Sequence, residues 1–190
     1  MARAGLNQQI VVREAARLAD EVGLDQLTLA ALAGRLGVAL PSLYKHVKGA
    51  DALTRKLAAL ATAELADALT SAAAGRAGED ALRAVAAAYR AYARRHPGRY
   101  VAAQRAPDAG DPDHVAAAGR AVGAIYAILR GYGLDGDDAV DATRVLRSAL
   151  HGFLALEAAS GFGLPRDVDR SYDRLVAGLD VAFRSWPREG

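Results

Sequence analysis

Residues 27–53 read LTLAALAGRLGVALPSLYKHVKGADAL and decide the fold of the first third of the chain. Apolar residues recur three or four positions apart on both sides of Gly37, which is the pattern of two amphipathic helices joined by a tight turn. Thr28 is a suitable N-cap for the first helix, and Pro41 lies in the first turn of the second, where its missing N–H needs no partner. The layout is that of a helix-turn-helix. Its shared apolar face is predicted to consist of Leu29, Leu32, Ala33, Leu36, Val38, Leu43 and Val47.

The second helix of this motif, predicted from Leu40 to Val47, carries an uncommon mixture of outward side chains. Leucine, proline and tyrosine beside lysines are unusual on a surface that meets only water, whereas base edges and thymine methyl groups suit them. The pattern therefore predicts a DNA-reading surface. The outward residues are Leu40, Pro41, Ser42, Tyr44, Lys45 and Lys48.

The remainder of the 190-residue chain is also predicted to be helical. Hydrophobic residues make up 52% of the sequence, and because many are alanines while β-branched and aromatic residues are sparse, helices are favoured over sheets. The expected fold class is all-α. Periodicity, capping residues and Pro/Gly breaks predict further helices over residues 7–22, 50–71, 79–96, 98–105, 113–133, 136–160 and 167–186.

Several classes of function are disfavoured by composition and motifs. The chain has no cysteine, and its four histidines are too far apart for a metal-binding spacing such as HxxxH. It has no phosphate loop and no catalytic motif, so we expect no metal, no cofactor and no enzyme activity. Without an apolar run of about 18 residues or a signal-peptide pattern, we expect a cytoplasmic protein with no membrane contact.

Basic residues are concentrated near the N-terminus. Residues 1–60 hold eight Lys and Arg against five Asp and Glu, a net charge of +3, while the remainder carries −1. The excess is the expected footprint of a segment that meets phosphates, although a chance fluctuation would look the same. Arg3 either reaches a minor groove from a flexible arm or belongs to a disordered terminus.

The first 60 residues resemble the TetR family of transcriptional regulators. The resemblance runs from about Leu6 to Leu60 and fixes helix lengths, turn and aromatic positions together. It is carried by Gly23, Leu27-Thr28, Leu32-Ala33, Gly37-Val38, Leu43-Tyr44-Lys45-His46-Val47 and Ala52-Leu53.

This resemblance implies a role for each residue of the reading segment. Thr28 would cap the first helix of the motif and touch a phosphate together with the free N–H groups there. Lys45 would donate a hydrogen bond to a guanine. Tyr44 and His46 would brace the sugar-phosphate backbone, and Lys48 would add a charge contact. The residues expected in the major groove are Leu40, Pro41, Ser42 and Lys45.

Three alanines depart from the family pattern. Ala39 replaces a polar residue common in the family, and Ala50 occupies a position that often holds a phosphate-binding lysine. Ala30 stands where some members reach a base. Their absence leaves Lys45 and Ser42 with a larger share of the polar readout.

The C-terminal part resembles the TetR subfamily with a WHG-type C-terminal domain, on residues 89–100 and 150–153. The tryptophan of that name does not precede His151, since the chain has leucine there. The resemblance implies a domain for ligand binding and dimerisation. We therefore expect a helix-turn-helix DNA-binding domain at 1–50, a connecting helix at 50–72 and the ligand-binding and dimerisation domain at 73–190.

Small residues line the apolar faces of the last two helices. They allow close helix approach, so two helices from each subunit could form a four-helix dimer interface, the alternative being close packing within one subunit. A two-fold dimer is also what a palindromic operator requires. The residues are Ala149, Gly152, Ala155, Ala159, Ala177, Gly178 and Ala182.

The candidate effector pocket is predicted from aromatic and polar-tipped residues. Such side chains suit a ligand pocket, and equally an ordinary core. His151 ranks first, because a histidine between apolar residues within a helix needs a partner. The set is Tyr89, Tyr100, Gln104, Tyr126, His151, Phe153 and Trp186.

The function expected from these features is that of a homodimeric repressor. It would bind a palindromic operator in double-stranded DNA and be released by a small-molecule effector. Two alternatives remain at this point. One is an enzyme that uses His151 with Glu157 as an acid–base pair, and the other is a helical adaptor that binds proteins and no DNA.

Overall fold

The computed structural model describes residues 6–187 and contains, over that range, nine α-helices, one short 3-10 helix at Leu24–Gln26 and no β-strand. The predicted all-α fold class is confirmed, and Arg3 lies outside the described residues. The helices are α1 (Gln8–Val22), α2 (Leu29–Leu36), α3 (Leu40–Leu43), α4 (Ala50–Ala73), α5 (Gly78–Arg95), α6 (Pro97–Ala103), α7 (Pro112–Arg130), α8 (Gly136–Ala158) and α9 (Val168–Arg184).

Most helix ends follow the local signals in the sequence. The Asn7 side chain accepts a hydrogen bond from the backbone N–H of Ile10 at 2.9 Å and caps α1. The Thr28 hydroxyl does the same for α2 by accepting from the N–H of Ala31 at 3.1 Å. Gly37 ends α2 in the left-handed region, with φ of 66°, which glycine adopts at no steric cost.

Helix α3 is shorter than predicted. Its α-helical part is the single turn Leu40–Leu43, and residues 44–46 form a turn instead of the remaining helix up to Val47. The chain tightens here because two successive N–H groups, those of His46 and Val47, both point to the carbonyl of Leu43, at 2.8 and 2.9 Å. Leu43 and Val47 nevertheless remain buried together, as expected.

The chain divides into two compact units that differ from a simple N-terminal and C-terminal split. The N-terminal unit combines the residues up to Leu65 with Arg95–Ala118, and the C-terminal unit combines Ala66–Arg94 with the residues from Gly119 onward. Two of the three boundaries fall inside α4 and α7, so each of these helices contributes to both units, and the third falls at the last residue of α5. The division of function between residues 1–50 and 73–190 stays a prediction, since compactness does not report function.

The core of the N-terminal unit is built on α1. Val11, Ala15 and Ala19 are completely buried along one face of this helix, and Leu32 of α2 and Leu43 of α3 are equally buried. Of the apolar face predicted for the helix-turn-helix, four side chains are buried and three are partly exposed. The buried ones are Leu32, Ala33, Leu43 and Val47, and the partly exposed ones are Leu29, Leu36 and Val38.

Helix α6 lies directly against the end of α1. A Cβ atom on Gly98 would stand 2.1 Å from the carbonyl oxygen of Ala19, so the two backbones touch at a point where no side chain fits. Beside this contact the Asp20 carboxylate accepts the backbone N–H of Arg99 at 2.9 Å and lies 3.2 Å from Nδ1 of His96. The Arg99 guanidinium lies 3.0 Å from Asp20 and donates to Glu64 of α4 at 3.0 Å.

In the C-terminal unit, an ion-pair cluster joins α5, α8 and the start of α9. Arg90 is almost completely buried, pairs with Glu157 and lies 2.8 Å from Asp169, and its guanidinium stacks over the Tyr172 ring at 4.5 Å. Arg94 contacts the same two carboxylates at 2.8 and 2.9 Å. Hydrogen bonds from Arg90, and secondarily from Arg94, lower the pKa of Glu157 to about 2.

A second polar cluster joins the end of α7 to α9. Tyr132 donates its hydroxyl to the buried Asp180 at 2.7 Å, and Arg184 donates to the other oxygen of that carboxylate at 2.8 Å. The hydrogen bond from Arg184 is the main cause that lowers the pKa of Asp180. Trp186 donates its indole N–H to Asp138 at 3.1 Å, which ties the end of α9 to the start of α8.

We expect Gly98→Ala to destabilise the N-terminal unit. Its Cβ would collide with backbone that cannot swing away, so α6 must shift from α1 at a cost of about 2 kcal/mol or more. Gly34→Ala is the matched control, because this glycine lies inside α2 with nothing within 4 Å of the position that a Cβ would take, and alanine there should stabilise the helix by about 0.5–1 kcal/mol. Thermal unfolding of the two variants should therefore shift Tm in opposite directions, and a neutral Gly98→Ala would contradict the close packing.

We expect Glu157→Gln to lower stability much more at neutral pH than at pH 2.5. A folded-state pKa below the ordinary value of 4.5 stabilises the fold above pH 4.5, and this stabilisation is lost as pH falls towards 2. The difference between pKa values of 4.5 and about 2 is worth at most about 3 kcal/mol. Denaturant unfolding at pH 7 and at pH 2.5 measures both free energies, and an equal deficit at the two pH values would argue against the ion-pair origin.

Candidate nucleic-acid interface

The helix-turn-helix is held by backbone hydrogen bonds around Gly37. Its N–H bonds to the carbonyl of Gly34 at 3.1 Å, and the N–H of Val38 bonds to that of Ala33 at 3.1 Å. These bonds satisfy carbonyls at the end of α2 and set the direction in which the chain enters α3. The turn thereby fixes where the reading segment begins.

The predicted DNA-contacting residues lie on the surface of this motif. Tyr44 is 54% exposed and Leu40 is 36% exposed, although both are large apolar side chains. Leu43, which lies between them in the sequence, and Val47, which follows them, are buried and anchor the segment in the core. The other residues of the set are Thr28, Pro41, Lys45 and Lys48, which are exposed, and Ser42 and His46, which are partly exposed.

Among residues 6–60, some cations are paired with carboxylates and others lie exposed. Arg35 at the end of α2 forms a two-pronged ion pair with Glu21 of α1, with distances of 2.5 and 2.7 Å, and lies 3.3 Å from Glu14. Its hydrogen bond is the main cause that lowers the pKa of Glu21. Arg17, Arg55 and Lys56 are likewise paired with carboxylates, whereas Lys45 and Lys48 lie exposed on the reading segment.

Two residues that hold the motif together were not predicted from the sequence. In the sequence Arg35 contributes only a positive charge to the N-terminal excess. In the structure it joins α2 to α1 through Glu21 and Glu14, which lie 14 and 21 positions away. Gln8 in the first turn of α1 donates its side-chain amide to the carbonyl of His46 at 3.1 Å. Neither pairing has a local signal, because each depends on how the helices pack.

The predicted effector-pocket residues are distributed over both units. Tyr100 and Gln104 belong to the N-terminal unit, where the amide of Gln104 donates to the carbonyl of Tyr100 at 3.2 Å. Tyr89, Tyr126, His151, Phe153 and Trp186 belong to the C-terminal unit. Tyr89 and Tyr100 are buried, and the other five side chains are partly exposed.

Phe153 and Trp186 are not brought together. The Phe153 ring lies 5.1 Å from Tyr172 near the start of α9, while Trp186 lies 6.0 Å from Phe183 at its end. The positions on α9 that they contact are separated by roughly 15–20 Å along the helix at 1.5 Å per residue. Phe153 and Trp186 therefore do not line one compact pocket.

A groove of about 440 Å³ in the C-terminal unit lies between α5 and α9. Arg83, Arg90 and Arg94 line it from α5, and Tyr172 and Val176 line it from α9. None of the seven predicted pocket residues belongs to this lining.

The outer faces of α8 and α9 carry exposed apolar residues among small ones. Val145 and Leu156 on α8 are 41% and 51% exposed, and Val181 on α9 is 63% exposed. Around them, the predicted small residues Gly152, Ala155, Ala159, Gly178 and Ala182 are exposed, and Ala149 and Ala177 are partly exposed. A stripe of this kind is left without cover in the single chain.

The geometry disfavours an acid–base pair of His151 and Glu157. Six residues apart on α8, the two side chains point about 120° apart around the helix axis and are roughly 9 Å apart along it. Glu157 is also held by two arginines, and a carboxylate with a pKa of about 2 is a poor proton acceptor at neutral pH.

Residues 82–179, more than half of the chain, match the sequence profile described as the Tetracyclin repressor-like C-terminal domain. The chain belongs to the TetR family. It is 41% identical to an uncharacterised HTH-type transcriptional regulator of Mycobacterium tuberculosis over 184 residues, which cover 93% of this chain and 83% of that protein. It is also 34% identical to the uncharacterised HTH-type transcriptional regulator YobS of Bacillus subtilis, over 87% of this chain and 86% of that protein.

A solved TetR structure shares the fold. The minocycline complex of a TetR variant from Acinetobacter baumannii superposes with a TM-score of 0.73 at 24% identity, covering 97% of this chain and all of that one. The predicted resemblance to TetR regulators is thus confirmed, and the chain is a DNA-binding transcriptional regulator of this family. Within residues 6–187, no helix is both long and apolar enough to span a bilayer.

Proposed function

We propose that this TetR-family regulator is a homodimeric repressor that binds a palindromic operator through residues 40–48 and is released by a small-molecule effector. The observation that carries the proposal is the exposure of Tyr44 and Lys45 between Leu43 and Val47, which are buried. A rigid base with exposed aromatic and cationic side chains suits major-groove reading.

Lys45 is the proposed hydrogen-bond donor to a guanine in the major groove. A lysine reaches the O6 and N7 acceptors of guanine, which no other base presents together. Leu40 and Pro41 would contact thymine methyl groups, and Ser42 would bond to a base edge. Since Ala30, Ala39 and Ala50 have no hydrogen-bonding side chain, most of the polar readout falls to Lys45 and Ser42.

The remaining residues of the set would fix the protein on the phosphates. The Thr28 oxygen already accepts the capping bond from Ala31, so its hydroxyl hydrogen is available to donate to a phosphate beside the N-terminus of α2. Tyr44, His46 and Lys48 would brace the sugar-phosphate backbone from the other end of the segment. Such contacts give register and affinity without reading sequence.

The homodimer would form through α8 and α9. Burial of Val145, Leu156 and Val181 against a second copy removes exposed apolar surface from water, and the glycines and alanines beside them permit close helix approach. A two-fold pair of such subunits presents two reading segments to a palindromic operator. A protein with this task works where the DNA is, so the proposal includes a cytoplasmic location.

An effector would act by favouring a conformation that does not fit the operator. The structural neighbour bound to minocycline supports a small molecule as the effector class, although the identity of the molecule differs between regulators. We propose the residues predicted from the sequence as the pocket lining. His151 and Phe153 on α8 are the first choice, and Trp186 is less suited to the same pocket because it lies at the end of α9 that is distant from Phe153.

Selection of bound duplexes from random DNA should yield a palindrome, and Lys45→Ala should weaken binding to it by about 10- to 100-fold. Tyr44→Ala should weaken binding to all duplexes alike, because it removes a backbone contact. Arg130→Ala is the control of equal charge change, since Arg130 lies exposed at the end of α7, outside the proposed dimer interface. Titrations at fixed salt measure all three, and a wild-type chain that binds no duplex even at low salt would favour the protein-binding adaptor.

The wild-type chain should have twice the mass of the 19.8 kDa monomer in sedimentation experiments. Val181→Glu should shift it to the monomer, because a carboxylate would be buried in an apolar interface without a partner. Val101→Glu on α6 is the matched control, since Val101 is 53% exposed outside the proposed interface. A wild-type monomer, or an equal effect of both variants, would reject the proposed interface.

A further inference from the structure

Gln8 connects the start of α1 to the end of the reading segment. Its side-chain Nε2 donates to the backbone carbonyl of His46 at 3.1 Å, across 38 positions of sequence. Because a carbonyl oxygen can only accept, the amide must present its NH₂ group to it. The contact therefore requires a donor at this position, which glutamate or a hydrocarbon side chain does not supply.

The His46 carbonyl lies where the reading segment has least helical support. Helix α3 ends at Leu43, so the carbonyls that follow have no complete helical turn to bond to. The N–H groups of His46 and Val47 are fixed, since both bond to the carbonyl of Leu43. The carbonyl of His46 is fixed by the Gln8 amide.

Gln8 itself stands on a rigid base. It is the first residue of α1, and the Asn7 side chain caps the helix immediately before it. Val11 and Val12, one turn further, are buried and anchor this end of α1 in the core of the N-terminal unit. The position of the amide is thus set by a helix that does not belong to the reading segment.

We infer that Gln8 is a positioning residue for DNA recognition, which holds the His46 carbonyl and with it Tyr44 and Lys45 in the arrangement that meets DNA. The inference rests on the proposed recognition through residues 40–48. Because the hydrogen bond is exposed to water, its loss changes global stability little. Operator affinity falls in proportion to the fraction of molecules that keep the segment in the binding arrangement.

The test compares Gln8→Met, which keeps the length of the side chain and removes the donor, with Gln9→Met at the neighbouring exposed position. Two readouts are used on the full chain. The first is hydrogen–deuterium exchange of the DNA-free protein, followed in the peptide that covers residues 43–48. The second is affinity for the duplex selected with the wild-type protein and for a shuffled duplex of equal length, each over a range of salt concentrations.

We expect Gln8→Met to accelerate exchange in this peptide and to weaken binding to the selected duplex by about 3- to 10-fold, with a smaller loss on the shuffled duplex and with unchanged Tm and salt slope. Gln9→Met should change none of these. Equal losses on both duplexes would mean that Gln8 touches the phosphates directly and would overturn the inference. Unchanged exchange of the peptide covering residues 43–48 in Gln8→Met would overturn the inference, whether or not the protein binds DNA. A wild-type chain that binds no duplex would instead reject the proposed function.

Discussion

Helix α1 can lie against α6 only because residue 98 has no side chain, since a Cβ there would stand 2.1 Å from the carbonyl of Ala19. The contact fixes one end of α1, and the neighbouring Asp20 adds hydrogen bonds and charge from α6. From this helix the proposed DNA-reading surface is positioned, because Arg35 of α2 pairs with α1 and Gln8 at its other end donates to the carbonyl of His46 in the reading segment. The geometry of the proposed surface therefore depends on residues outside the reading segment.

The parts of this structure that sequence predicts well are those with a local cause. The caps at Asn7 and Thr28 and the left-handed Gly37 each involve atoms within a few residues of one another, so composition and spacing suffice to find them. The length of α3 was not predictable in this way. The spacing of four between Leu43 and Val47 is typical of a helix, but a turn also buries both side chains. In that turn the carbonyl of Leu43 accepts hydrogen bonds from two N–H groups.

Pairings between distant residues could not be read from the sequence, and they change how its charges are understood. A net charge of +3 over residues 1–60 suggests a broad basic surface. In the folded chain, Arg35 and Lys56 are paired with carboxylates, so part of that charge serves packing between helices. The basic character that remains on the reading segment is that of Lys45 and Lys48. Likewise, Glu157 looks like a free carboxylate in the sequence and is the centre of an arginine cluster in the fold.

The discontinuous make-up of the N-terminal unit bears on how the protein is synthesised. The unit needs α6, so the ribosome must add about 40 residues after Leu65 before that helix is complete. At 5–20 residues per second this takes about 2–8 s, during which the Ala19 end of α1 has no α6 to cover it. A nascent chain or a truncated fragment that stops near Leu65 therefore holds the complete recognition motif but lacks part of the core that supports it. A shortened version made to bind DNA alone would need a replacement for α6.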